Sequence, residues 1–264
     1  VSVQRDRPVR FIDFEHPDRN NLVAAQQVTF RQGNVEVRFD LVLFVNGIPL
    51  VVIEAKTPVR KAVTWIDGAI QVHDDYERNV PRFFVPNAFS VATDGKELRF
   101  GAIRMPLLLW GPWRSDDPGL VKLSQVEQAA AELLDPPTVL DILRSFTVFA
   151  TDKKHRKIKV IPRYQQYEGA NRIVERVIAG QPRKGLLWHF QGSGKSLLMV
   201  FAAQKLRLHP ALRNPTVVIV VDRVDLDTQI SATFHSHDIP NLVGAGTRKE
   251  LKKLLDQDVR KVVI

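Results

Sequence analysis

The stretch Asp40 to Lys56, D-L-V-L-F-V-N-G-I-P-L-V-V-I-E-A-K, restricts the fold more than any other part of the chain. It reads as two apolar strands, Leu41 to Val45 and Ile48 to Ile53, joined at Asn46-Gly47, a dipeptide that takes positive φ readily and closes tight hairpins. Neither strand alternates strictly between apolar and polar residues, which suits a central pair covered on both faces. Three charges, Asp40, Glu54 and Lys56, stand at the open ends of this apolar hairpin. Charged groups beside a core cost free energy unless they are paired or hold a cation, so their presence points to a function.

Side chains alternate along a strand, so Glu54 and Lys56 share one face and Ala55 takes the other. A two-residue turn at Asn46-Gly47 pairs Asp40 with Ile53 and sends Glu54 to the wrong face. An odd loop, such as a three-residue turn with Gly47 left-handed, brings Asp40 and Glu54 together, and the reading requires it. Two carboxylates and the carbonyl of residue 55 then make an oxygen site for Mg2+, a hard cation that prefers such ligands. Lys56 beside it is placed to orient or help deprotonate a water attacking a phosphodiester. A Glu-x-Lys triplet alone carries little, since 25% of the residues are charged and one is expected about once by chance. Position raises its weight, since the acid and the triplet terminate facing strands of one hairpin, and this pattern suits a metal nuclease and a salt bridge at a strand end equally.

A second chemistry lies at Gln191-Gly192-Ser193-Gly194-Lys195-Ser196, between a predicted buried strand, Leu186 to His189, and a predicted helix, Leu197 to Leu208. Glycines there let backbone N–H groups surround phosphates, and the helix N-terminus adds favourable partial charge. Lys195 is expected on the β- and γ-phosphates of ATP, and the Ser196 hydroxyl on Mg2+. His189 stands where the strict pattern has its first glycine, yet G-S-G-K-S between strand and helix is far more specific than Glu-x-Lys. Thr216 to Val221 is a β-branched run, as expected of the next parallel strand.

Charge adds a partner. The chain carries a net charge of +9, and residues 151–184 hold ten Lys or Arg against three acids, a local +7. Such a block suits a phosphate backbone, although it also suits a solvated linker. No cysteine is present, so disulfides and thiolate zinc sites are excluded. No apolar run reaches the length of a membrane span and the N-terminus lacks a signal-peptide core, so no membrane partner and a cytoplasmic location are expected.

The remaining elements follow from local signals. V-R-F-I-D-F (9–14) and L-V-A-A-Q-Q-V-T-F (22–30) are predicted strands leading into the hairpin, with no helix before the first of them. Ala62 to Tyr76 has helical spacing with Ile66 and Ile70 aligned, and His73 is assigned to packing or surface. Arg82 to Val85, Ala88 to Ala92 and Glu97 to Ile103 are further predicted strands, the last two joined by a turn at Thr93–Lys96. Trp110 and Trp113 are assigned to packing of a loop, and Ser124 with Glu127 forms a capping box that opens a helix to Leu134. Pro136-Pro137 starts another to about Phe146. Domains are expected at 1–150 and 151–264.

Asp40 with Glu54-Ala55-Lys56 resembles the PD-(D/E)xK nuclease core, with Phe39 where that motif usually has Pro. The wording N-G-I-P-L-V-V-I-E-A-K-T-P is similar to the nuclease domain of the motor (R) subunit of type I restriction enzymes. That family carries a Gln and a Tyr on the following helix, and Gln71 and Tyr76 stand there, although the family spacing puts the Tyr at 75. On an α-helix five residues turn about 140° past one revolution, so Gln71 is carried over to the site and Tyr76 is not. The run D-R-V-D-L-D-T-Q after Val221 resembles motif Ia of superfamily 2 helicases, and R-Y-Q-Q at 163–166 resembles the family's adenine-recognising motif. The family spacing selects Gln166, whose amide can bond both N6 and N7 of adenine.

The resemblance implies an α/β chain: a PD-(D/E)xK restriction-endonuclease-like mixed sheet with helices, then a partial RecA-like parallel lobe. It implies an ATP- and Mg2+-dependent enzyme that cleaves double-stranded DNA after translocation, working with modification and specificity subunits. Asp40, Glu54, Lys56 and Gln71 form the implied cutting site, with Asp40 and Glu54 on the metal. Gln166, Gly192, Ser193, Gly194, Lys195 and Ser196 form the implied nucleotide site. The chain stops at K-V-V-I before the acids of the Walker B strand. It is therefore expected to be the N-terminal part of a longer subunit that binds nucleotide without useful hydrolysis. The rivals are a helicase or repair ATPase whose first domain only binds DNA, and a non-enzymatic scaffold whose nuclease site is degenerate.

Overall fold

The computed structural model describes residues 9–57, 59, 62–114, 124–151, 156–221, 242–257 and 260–264. It is a mixed α/β structure whose contacts divide it into two units, Val1–Arg144 and Ser145–Ile264.

The first unit is built on a five-stranded sheet in chain order: β1 (Leu22–Gln32), β2 (Val35–Val45), β3 (Ile48–Ala55), β4 (Phe89–Thr93) and β5 (Leu98–Gly101). All neighbours are antiparallel except β3 and β4, which are parallel and joined through the helical segment that covers the sheet. Asn46 and Gly47 make a two-residue turn with φ of 51° and 80°, the mirror-image turn whose twist suits a hairpin. The odd loop expected above is therefore not there. The extra residue comes instead from a bulge: Phe44 pairs with Pro49, but Leu43 pairs with Val51, leaving Leu50 unpaired and 1% exposed. Below the bulge Leu41 faces Ile53, and the register carries Asp40 opposite Glu54. Asp40 and Glu54 therefore stand opposite each other, with the extra residue three positions further along the chain than the expected loop.

The covering segment runs through α1 (Trp65–Ile70), a wide turn over Gln71–Tyr76, and α2 (Glu77–Asn79). Thr64 caps it, accepting from Ile66 N, while the Asp67 carboxylate takes the Thr64 amide. The expected Ile66/Ile70 stripe faces outward, both residues being exposed, and Gly68, Ala69, Val72 and Tyr76 turn inward. Small residues win that face because the helix rides close over the sheet. A Cβ on Gly68 would stand 3.4 Å from Glu54 Cγ and 3.5 Å from Ala92 Cβ. Below lie Val37, Phe39, Val42, Val52, Phe83, Phe84 and Trp110, one apolar cluster.

In the first unit two predicted strands are absent. Residues 82–85 form successive turns, because Phe83 and Phe84 both bury against Phe39, and adjacent strand residues cannot share a face. Residues 9–14 are irregular: Asp13 bends them by accepting the amides of Glu15 and His16, and a short 3-10 turn follows at Pro17–Arg19. The Thr93–Lys96 turn forms, with Asp94 accepting from Lys96 and Glu97. Trp110 and Trp113 are buried, and Trp110 lies so flat on Gly101 that a Cβ there would meet its ring at 2.5 Å. The Ser124–Glu127 capping box opens α3 (Gln125–Leu133), and α4 (Pro136–Ser145) starts at the predicted proline.

In the second unit a hairpin, β6 (Val148–Thr151) and β7 (Lys157–Val160), precedes α5 (Tyr164–Ala179) and α6 (Lys195–Leu208), which pack on each other. Gly169 permits the approach, since a Cβ on it would lie 2.8 Å from Leu198 Cδ1. Three short parallel strands, β8 (Val217–Val218), β9 (Leu242–Val243) and β10 (Val262–Val263), are ordered β8-β10-β9, with α7 (Arg248–Leu255) before the last. Phe146, Val200, Phe201, Ala202 and Val262 centre this unit's own core. The predicted strand Leu186 to His189 is not formed. Its residues are irregular, Leu186 and Trp188 are more than nine-tenths exposed, and no described strand pairs with them. The run resembling motif Ia lies outside the described residues. Among the described residues no helix is long and apolar enough to cross a membrane.

Candidate functional sites

The middle of β2 and the C-terminal end of β3 bring three sequence-selected residues together. Glu54, 3% exposed, points at α1 and the wide turn, and its Oε1 lies 2.8 Å from Lys56 Nζ. Asp40 ends the β2–β3 ladder with its side chain in place of its backbone: Oδ2 accepts the Ala55 amide at 3.0 Å, and Oδ1 accepts from Gln27 Nε2 at 3.3 Å. Lys56 Nζ also donates to Gln71 Oε1, so the fourth expected residue joins the group.

Tyr76, set aside on α-helical geometry, belongs to it as well. Gln71–Tyr76 is a π-turn, in which the Glu77 amide reaches back five residues to the Val72 carbonyl. That hydrogen-bonding pattern takes more residues per turn than an α-helix, so it brings i+5 back toward the face of i and cuts most of the 140° offset. Gln71 Nε2 donates to the Tyr76 hydroxyl, which lies 3.2 Å from Glu54 Oε2 and 3.3 Å from the Arg38 carbonyl. Glu54, Lys56, Gln71 and Tyr76 thus close a ring of hydrogen bonds. The available signal was the Gln–Tyr pairing itself, one residue longer than the family spacing. A π-turn absorbs one inserted residue.

Electrostatics follow from burial. Desolvation raises the Glu54 pKa above the usual carboxylate value, and the Asp40 charge raises it further, against the lowering effects of Lys56 and Tyr76. Burial and the Glu54 charge push the Tyr76 phenol above its ordinary range, so it stays protonated as a donor. A divalent cation would suit this donor set: two hard carboxylates where the β2–β3 ladder ends, one of them held at an energetic cost that positive charge relieves. Among the described residues no group of three or more His, Cys, Asp and Glu is gathered for a metal, which leaves Asp40 and Glu54 as a two-carboxylate pair.

The phosphate-loop residues lie together before α6. Gly192 and Gly194 take φ of 83° and 79°, conformations that favour glycine, and Gly194 caps the helix that Lys195 begins. Ser193 is fully buried with no partner for its hydroxyl, whereas Ser196 at the first turn is half-buried. Lys195 Nζ turns back to the carbonyls of His189 and Phe190, at 3.1 and 3.0 Å. Gln166 is 3% exposed on α5: its Oε1 accepts the Arg163 amide, and its Nε2 donates to the Ser193 and Gly194 carbonyls at 3.3 and 3.2 Å. The glutamine chosen for adenine thus also braces the loop chosen for phosphate.

Residues 2–106 match the family model for the Type I restriction enzyme R protein N terminus, and residues 165–264 match that for the SWI2/SNF2 ATPase. A restriction-enzyme N-terminal region followed by a helicase-like ATPase region is the class these matches define. The chain belongs with the endonuclease (R) subunits of type I restriction enzymes. It is 36% identical over 244 residues to the type I restriction enzyme HindI endonuclease subunit of Haemophilus influenzae, covering 88% of this chain and 23% of that protein. It is 30% identical over 255 residues to the putative MjaVIIIP endonuclease subunit of Methanocaldococcus jannaschii, covering 93% and 24%. To the SauCOLORF180P endonuclease subunit of Staphylococcus aureus it is 22% identical over 231 residues, covering 85% and 23%. The chain spans about a quarter of the length of these curated relatives.

Proposed function

We propose that the first unit is a PD-(D/E)xK nuclease centre and the second the nucleotide-binding part of a RecA-like motor lobe. Together they belong to a subunit that translocates double-stranded DNA with ATP and then cuts it. The observation that carries this reading is the meeting of Asp40, Glu54 and Lys56 where the β2–β3 ladder ends, backed by Gln71 and Tyr76. Asp40 and Glu54 would hold Mg2+, which when bound supplies Lewis acidity toward a phosphodiester and its attacking water. Lys56 orients that water or helps take its proton, and Gln71 fixes the Lys56 ammonium. Tyr76 holds Glu54 in place through its hydroxyl.

In the second unit Gly192 and Gly194 shape the cradle, and Lys195 would exchange its loop carbonyls for the β- and γ-phosphates of a bound nucleotide. Ser196 would hold the nucleotide's Mg2+, and Gln166 would bond adenine only by exchanging the bonds with which its amide now braces the loop. Modification and specificity subunits are the proposed partners, and the basic block at 151–184 a candidate DNA contact.

The test pairs supercoiled-plasmid nicking in Mg2+ with calorimetric titration of Mn2+, comparing wild type with Lys56→Ala and Asp40→Asn. Nicking is expected from wild type and from neither variant, with Mn2+ binding kept by Lys56→Ala and weakened by Asp40→Asn. Equal nicking by all three, or Mn2+ binding that ignores Asp40, refutes the nuclease reading.

A further inference from the structure

Asp40 stands at a break that both of its strands share. The β1–β2 ladder pairs Gln26 with Leu41 and Val28 with Phe39, and skips Gln27 and Asp40 between them. Gln27 is mid-strand and not glycine, yet its φ is 51°, in the left-handed region. Across the same break the buried positions of β2 change parity, from Val37 and Phe39 to Val42. A strand that flips its face at one residue re-aims that residue's side chain, a use to which strand irregularities are put beside active sites. Here the freed Asp40 carboxylate turns to the β3 end, where it takes the Ala55 amide, and Gln27 Nε2 reaches its other oxygen at 3.3 Å.

We propose that Gln27 is a positioning residue for Asp40, holding one carboxylate oxygen by a neutral amide so that the carboxylate meets a divalent cation together with Glu54. This rests on the metal-site reading above. The chemistry of the donor fits the task. An amide fixes a carboxylate without neutralising it, whereas a Lys or Arg at position 27 would compete with the cation for the same oxygens. The left-handed backbone serves the same end, because it tilts Gln27 out of the ladder that would otherwise pair it with Asp40 through the main chain.

The experiment titrates Mn2+ without nucleotide into the chain, wild type, Gln27→Gly and Gln27→Ala, with a thermal melt of each and Asp40→Ala as blank. Glycine relieves the left-handed strain while removing the amide, so Gln27→Gly is expected to melt at or above the wild-type midpoint. It should nonetheless bind Mn2+ about tenfold more weakly, the usual loss when a partner of a metal ligand is removed. Gln27→Ala is expected to melt lower and to lose the same affinity. Wild-type affinity in Gln27→Gly overturns the positioning role, as does a midpoint and affinity falling together in both variants, which would assign Gln27 to stability alone. Wild-type binding no stronger than the blank overturns the metal site itself, and this proposal with it.

Discussion

The Tyr76 hydroxyl has one proton and three neighbours: the Gln71 amide, the Glu54 carboxylate and the Arg38 carbonyl. Gln71 donates to it, so its own proton is left for Glu54 or Arg38. Tyr76→Phe removes the acceptor of one bond and the donor of another while keeping the ring on Phe39. The expected result is a plasmid-nicking rate lowered about tenfold, with a stability loss of only about 1 kcal/mol by denaturant melt. A rate equal to wild type would remove Tyr76 from the site. Glu77, next along, is buried for a structural purpose: one carboxylate oxygen takes the Arg104 amide at 2.7 Å and the other has no partner. Burial raises its pKa from 4.5 to about 7, so the folded protein binds a proton that the unfolded chain has released. The Glu77 contribution to stability is therefore fully present below about pH 4.5 and is lost as pH rises through about 7. Glu77→Gln keeps the acceptor without the charge. Its melting midpoint should gain on wild type across that window, by at most about 3 kcal/mol at pH 8, and should match wild type near pH 4.

At the scale of elements, what the sequence disclosed was what local chemistry decides. The Asn-Gly turn, the Ser124 capping box, the proline start of α4 and the glycine cradle before α6 all formed where composition put them. Hidden were choices made by packing. The bulge at Leu50 has no residue signature, because nothing in I-P-L-V-V-I says which residue drops out of the ladder. Phe83 and Phe84 have strand propensity, and the aromatic stack on Phe39 overrides it. The outward Ile66 and Ile70 mislead in the same way, since a helix close to a sheet selects small residues over large ones. The π-turn is the most instructive case, since it holds one residue more than an α-helix needs. Deleting Asp75, which is exposed, should convert Gln71–Tyr76 to α-helix and leave the tyrosine four residues after Gln71, still on its face. Such a variant should keep its Mn2+ affinity and melt no lower than wild type. In an uninterrupted α-helix the same deletion turns everything downstream by about 100°, so loss of folding would show the turn to be required.

The two units each hold a candidate site on a core of their own. The Asp40–Glu54–Lys56–Gln71–Tyr76 network closes within residues 27–76, and the Gln166–Ser193–Lys195 network within residues 163–195. Neither shares a side chain with the other, and substitutions without shared partners add to within about 0.5 kcal/mol. Lys195→Ala removes the cation that would meet the phosphates and should weaken fluorescent ATP-analogue binding roughly thirtyfold, the equivalent of about 2 kcal/mol for a charge-assisted bond. It should leave Mg2+-dependent plasmid nicking within about twofold of wild type. Glu54→Gln should do the reverse, ending nicking while the analogue titrates as before. Both losses appearing in one variant would mean that a single site serves both reactions. Independent losses would place any coupling between fuel and cutting outside these two networks, in groups that neither the Lys195 nor the Glu54 side chain touches.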